Sequence, residues 1–321
     1  MHIPDGFIDI RTATGTGILS AAALGVSIRR LRRDLPARRV PLLGLAAAFI
    51  FSVQMLNFPV AGGTSGHLVG GALASVLLGP EAAIVVITSV LAVQCLLFAD
   101  GGILALGANV FNMAVVCSVT GWLGARLVRM VAPGLRGQVA GMAFAGWISA
   151  VVASVACAAE LAWSGTVAWG VALPAMVGVH MLIGLGEGLI SALVLVAILR
   201  TRPDLVPAES GGGSAPTLRG PLVLGLIASL GLALLVSPFA CAWPDGLDSV
   251  ALRLGFDHRA LAGVHGAPAP DYLMPGIASR GLATAIAGGV GTVVALGLAL
   301  ALGWILARGR PAAGGSREAG A

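Results

Sequence analysis

The stretch Ala82-Ala83-Ile84-Val85-Val86-Ile87-Thr88-Ser89-Val90-Leu91-Ala92-Val93-Gln94-Cys95-Leu96-Leu97-Phe98 carries no charge and holds neither proline nor glycine. As a helix rising about 1.5 Å per residue, it is long enough to cross most of a hydrocarbon layer about 30 Å thick. Similar apolar segments lie on both sides of it. Upstream are residues 12–28 and 41–56, and a shorter segment opened by His67 and stopped at Gly79-Pro80. Downstream are 104–123, 139–162, 173–199, 221–239 and 282–307. The chain has 321 residues, 57% of them hydrophobic and 10% charged. Its mean hydropathy is +0.96. The expected fold is an all-α integral membrane protein with nine crossings and a short helix after a Gly-rich loop.

All 19 basic residues are arginine. The absence of lysine excludes a P-loop, a Schiff base and a Ser-Lys dyad, so any ATP hydrolysis must come from another polypeptide. Cys95, Cys117, Cys157 and Cys241 form no CxxC pair, which argues against a zinc site or a disulfide framework. Fifteen arginines fall in clusters at 29–39, 126–136, 200–219 and 308–317, against Arg11, Arg253, Arg259 and Arg280 on the other side. The positive-inside rule then places the N-terminus and the His67 segment outside the cell. It makes residues 201–220, with Gly211-Gly212-Gly213, a flexible cytoplasmic linker, and residues 308–321 a cytoplasmic tail.

The chain opens Met1-His2-Ile3-Pro4-Asp5-Gly6-Phe7, without the basic start of a secretory signal. A terminal amine followed by an imidazole is a chelator. The Met1 amine, the His2 amide nitrogen and the His2 ring can close two adjacent rings on one ion, and the three nitrogens tend towards one plane. A residue as large as His2 should also block removal of the initiator methionine. His67 follows Gly62-Gly63-Thr64-Ser65-Gly66 at the same outer level and is the candidate fourth ligand. A planar nitrogen set containing a deprotonated amide favours Ni(II) or Cu(II), with Co(II) also accommodated, and its affinity should fall at lower pH.

Other polar positions admit further readings. Gly63-Thr64-Ser65-Gly66 fits the GxSG pattern of rhomboid intramembrane proteases, with Ser65 as nucleophile and His180 as base. That distant alternative leaves His2 without a role. His180 and Glu187 share a helix face and could pair with each other or with a partner subunit. Asn109 and Asn112 would bridge helices or brace the metal loop. Gly17, Ala21 and Gly25 form a small-residue stripe, assigned here to packing within the chain.

Several of these motifs together resemble the CbiM/NikM substrate-binding (S) components of energy-coupling factor transporters. They are Met1-His2-Ile3-Pro4-Asp5-Gly6-Phe7, Gly63-Thr64-Ser65-Gly66-His67, Asp100-Gly101-Gly102, Gly107-Ala108-Asn109 and His180-Met181-Leu182-Ile183-Gly184-Leu185-Gly186-Glu187. The resemblance covers residues 1–200 and implies an S-component bundle of about seven helices, with metal held by Met1, His2 and His67. It implies import of Ni(II) or Co(II) as transported substrate, with a Co(II) role in cobalamin synthesis as the alternative. The chain itself would not be an enzyme. Its partners would be a transmembrane coupling (T) subunit and ATPase (A) subunits in a bacterial inner membrane, without nucleic acid. Residues 221–307 resemble the two-helix PDGLE (NikN-like) accessory domain. Pro244-Asp245-Gly246-Leu247-Asp248 carries Asp where that motif ends in Glu, and this type of accessory domain favours nickel.

Overall fold

The computed structural model describes residues 1–205, 219–261 and 266–308. The long helices are α1 (Ile10–Asp34), α2 (Val40–Gln54), α4 (Pro80–Phe98), α5 (Leu106–Val131), α6 (Gly134–Trp163), α7 (Trp169–Thr201), α8 (Gly220–Phe239) and α10 (Arg280–Arg308). Between them lie the strands β1 (Phe58–Val60) and β2 (Thr64–Gly66) and the short helices α3 (Gly71–Leu78) and α9 (Gly246–Leu254). Seven of the long helices are long and apolar enough to cross a membrane. The eighth, α1, is longer than expected. Arg29 to Arg33 continue the helix rather than forming a loop, and Arg32 and Arg33 meet the negative end of its dipole. Its first turn is capped by Asp9, whose carboxylate accepts from Thr12 N–H at 2.9 Å.

The bundle core is apolar, and one long helix also turns polar and small residues into it. On α7, His180, Gly184, Glu187 and Ser191 are buried, while Leu182, Leu185, Leu189 and Leu193 are exposed. These positions follow the 3.6-residue period, and the outward leucines present the face a lipid tail would wet. Of the α1 stripe, Gly17 packs against Gly107 at the start of α5, whereas Ala21 and Gly25 face outward. The stripe therefore serves internal packing at one position only.

The passage beginning at His67 differs from expectation. His67 does not open a helix; it follows β2 in an extended stretch, and α3 begins at Gly71. The Gly-rich loop before it is an antiparallel hairpin pairing Phe58 with Gly66 and Val60 with Thr64. α3 has 8 residues, too few to span alone. His67 touches the Met1 nitrogen, and Glu81, just past α3, meets Arg30 at 2.6 Å towards the far end of α1. The non-helical residues 67–70 and α3 together link these two contacts.

Unwound backbone within a bundle needs partners for its polar groups. Glu187 Oε1 accepts from Gly70 N–H at 3.1 Å, and Gln54 Nε2 donates to the Val69 carbonyl at 2.7 Å. Glu187 therefore does not pair with His180, whose Nδ1 instead donates to the Met176 carbonyl at 2.8 Å. Asn112 donates to Glu160 at 2.7 Å and bridges α5 to α6 as expected.

The C-terminal helices pack beside α2, where Ser52 and Thr292 hydroxyls meet at 3.0 Å inside the contact. The chain between α8 and α10 folds over the end of the bundle that carries the N-terminus. Cys241 N–H donates to the Asn57 carbonyl, Leu261 N–H to that of Asp5, and Tyr272 stacks on Phe98 at 4.7 Å. The expected linker at 201–220 falls mostly on residues 206–218 and the expected tail on 309–321, both outside the described residues.

Candidate metal centre

The first nine residues form no helix, yet Met1, Ile3 and Phe7 are almost fully buried. They are fixed by hydrogen bonds to loops around them. Asn109 clamps Ile3 from both sides, accepting its N–H at 2.7 Å and donating to its carbonyl at 3.0 Å. Gly102 N–H also donates to that carbonyl at 2.9 Å. The Asp5 carboxylate accepts from the N–H groups of Ile103, Leu104 and Ala105. A Cβ at Gly102 would fall 2.0 Å from Asp5 Oδ1, so this approach requires glycine. Thr166 donates to the Phe7 carbonyl and Ser164 accepts from Asp9 N–H, tying the segment to the α6–α7 turn. The expectation that Asn109 braces the metal loop thus becomes a direct clamp on the terminus.

Two of the three predicted ligands meet. The Met1 nitrogen donates to His67 Nε2 at 2.8 Å. That separation suits two neighbouring corners of a planar site with metal–nitrogen bonds of about 2 Å. The His2 ring stacks on the His67 ring, with centroids 5.3 Å apart and planes within 19°. Its Nδ1 points to Asp100 Oδ1 at 3.1 Å rather than to the amine. Its Nε2 lies 3.2 Å from Gln94 Oε1. A cavity of about 10 Å³, one water or one small ion in size, opens beside Met1 and His67 and is also lined by His180, Ile183 and Gly246.

A residue outside the predicted ligand set completes the cluster. Asp245 Oδ2 lies 2.7 Å from the Met1 nitrogen and 3.9 Å from His67 Nε2. Burial pushes the amine pKa down, but the Asp245 carboxylate, with smaller help from Asp100 and Asp248, raises it above its ordinary value. Burial lowers His2, outweighing the attraction of Asp100. Burial would raise Asp245, yet the adjacent ammonium holds it below the usual carboxylate range. Burial and the charge of Asp245 push Asp248 up to about 7. The Met1 amine and Asp245 thus form a buried ammonium–carboxylate pair.

Among the described residues, no three His, Cys, Asp or Glu side chains gather to hold a metal ion. The Ser65 hydroxyl donates to the Trp243 carbonyl at 2.7 Å and does not meet His180, so the Ser-His pair of the protease alternative is not formed.

The family model described as the CbiM cobalt uptake substrate-specific transmembrane region matches residues 2–205. The chain belongs to the CbiM family. The PDGLE domain model matches residues 219–308, so a CbiM region and a PDGLE region share one chain. Over 94% of this chain and 97% of the relative, it is 42% identical to the putative fused nickel transport protein NikMN of Archaeoglobus fulgidus. It is 34% identical to the fused nickel transport protein NikMN of Rhodobacter capsulatus, over 86% of this chain and 84% of the relative. The cobalt transport protein CbiM of Geobacter sulfurreducens is 31% identical, over 80% of this chain and 78% of the relative. A crystal structure of a truncated transition metal transporter superposes with a TM-score of 0.57 at 33% identity, covering 62% of this chain and 99% of that one. The CbiM-family assignment and the seven apolar helices make this a multi-pass membrane protein of a transition-metal transport family.

Proposed function

We propose that the protein captures Ni(II) outside the cell and delivers it inward as the S component of an energy-coupling factor importer. The Met1 amine, the His2 amide and ring, and His67 hold the ion. The observation that carries this reading is the 2.8 Å contact between the terminal nitrogen and His67 Nε2, in a buried cluster. Loading displaces the ammonium proton and the amide proton, and turns His2 Nδ1 from Asp100 to the ion. Gln94 and Asp100 then remain beside the ring as outer partners that orient it. Four nitrogens in a plane favour Ni(II), and the fused relatives named for nickel transport support the same choice. Co(II) is the second reading, supported by the description of the matching family model.

The lack of lysine leaves ATP hydrolysis to separate A subunits, coupled through a T subunit whose movement would reorient this chain. In this scheme residues 1–200 bind metal, 201–220 link on the cytoplasmic side, 221–307 form the accessory unit and 308–321 the tail. Replacing His2 with Ala tests the site, because it removes the ring that closes the second chelate. Nickel binding to the purified full chain should be abolished. Unchanged affinity in that variant would sink the ligand assignment.

A further inference from the structure

The PDGLE region delivers one side chain to the metal centre that the four-nitrogen ligand set does not use. Asp245 opens α9 and divides its two oxygens. Oδ1 caps the helix by accepting from the N–H groups of Leu247 and Asp248 at 2.8 and 2.9 Å, and Oδ2 faces the terminal nitrogen at 2.7 Å. The segment is bolted to the β1–β2 hairpin that leads to His67. Ser65 N–H donates to the Pro244 carbonyl at 2.8 Å, the Thr64 and Ser249 hydroxyls meet at 2.7 Å, and Arg253 donates to the Gly62 carbonyl at 2.8 Å. Gly246 permits this depth. A Cβ there would fall 2.7 Å from Ile183 Cδ1 and 2.8 Å from His180 Cε1.

We propose that Asp245 is the counter-ion and positioning residue of the metal centre. It holds the terminal amine against His67 in the empty site and balances the charge of the ion in the loaded one. The charges match in both states. The empty site holds one ammonium beside one carboxylate. A divalent ion brings two positive charges and displaces two protons, one from the ammonium and one from the His2 amide. The loaded nitrogen set therefore carries the same single positive charge, and the same carboxylate faces it. A buried charge without a partner is costly, and here neither state has one. The accessory region is thus a wall of the metal site.

This inference rests on the assignment of the N-terminal nitrogens as ligands. Its test is the Ni(II) affinity of the full chain in detergent, titrated with nickel chloride against a chromophoric chelator. Asp245→Asn and Asp245→Ser keep a residue that caps helices well and remove the charge. Because the carboxylate faces one positive charge in either state, its removal acts on affinity through positioning. With the amine no longer held against His67, both should weaken binding by about tenfold, while the absorption spectrum at saturation keeps its planar four-nitrogen form. Asp245→Glu and Asp248→Asn should both stay within a few-fold of the unaltered protein, Asp248 being a smaller contributor at the amine. The proposal is overturned by unaltered affinity in both neutral variants, or by an equal loss in D245E or D248N. A changed spectrum at saturation would overturn it too, by making Asp245 a metal ligand. If His2→Ala abolishes binding while D245N binds as the unaltered protein does, the counter-ion role alone fails; if His2→Ala leaves binding intact, the ligand assignment fails first.

Discussion

The terminal nitrogen is the residue-scale feature on which the proposed chemistry turns, and its protonation sets the pH dependence. Metal must displace the proton that Asp245 helps to hold, and that help raises the amine pKa above its ordinary value. Proton competition therefore persists above the α-amino value of about 8 rather than ending below it. Burial lowers His2, so its ring contributes little competition near neutrality. We predict that Ni(II) affinity rises steadily from pH 6 to beyond pH 8, measured by competition titration at fixed ionic strength. A plateau beginning near pH 7 would contradict both the raised amine pKa and the release of the amide proton. That Met1, His2 and His67 gather at one place was legible in the sequence, because an amine next to an imidazole drew attention to the terminus and a Gly-rich stretch to the third residue. Asp245 was not, because nothing in Pro244-Asp245-Gly246 says what its second oxygen faces. The direction of the His2 ring was equally hidden, since it depends on Gln94 and Asp100 from two other segments.

At the scale of elements, the passage beginning at His67 shows where hydropathy stops being informative. Residues 82–98 announce a spanning helix by composition alone. Residues 67–78 combine a non-helical stretch with two turns of helix, and nothing in their apolar character separates that from one short helix. The signal lay elsewhere, in the buried carboxylate of Glu187 and the amide of Gln54, which supply the hydrogen bonds that unwound backbone lacks. Glu187→Leu removes the acceptor for Gly70 N–H and puts an apolar side chain of similar size in its place. It should destabilise the protein by about 1–3 kcal/mol, read as a lower melting temperature in detergent, while Glu187→Gln should recover most of the loss. Equal melting temperatures for the unaltered protein and E187L would mean that the broken passage finds another partner. The hairpin before His67 escaped prediction for a different reason. Its strands have 3 residues each, too short to show an alternating pattern.

At the scale of the whole molecule, the two matched regions are less separate than two family models suggest. The chain between α8 and α10 donates to carbonyls at Asn57 and Asp5, and the Ser52–Thr292 contact joins α2 to α10. We predict that residues 1–205 and 219–321, coexpressed as separate chains, co-purify and bind Ni(II) within about tenfold of the intact protein, the loss reflecting only the effective concentration that covalent linkage supplies. Failure to co-purify would show that the covalent connection holds the two together. The overall helical, membrane-embedded architecture was legible because lipid demands long uncharged runs. The seating of the C-terminal segment over the N-terminus was not, since contacts between distant segments leave no period in either.

The pairing of the Met1 amine with Asp245 has a thermodynamic corollary. One partner belongs to the CbiM region and the other to the PDGLE region, so an ion at this centre acts on their association as well as on the amine. Binding linkage is reciprocal: whatever factor the PDGLE region adds to the affinity for metal, the metal must add to the grip between the regions. If docking of the PDGLE region favours the ion, cargo becomes an effector of assembly, and loosening that dock becomes a way to let the cargo go.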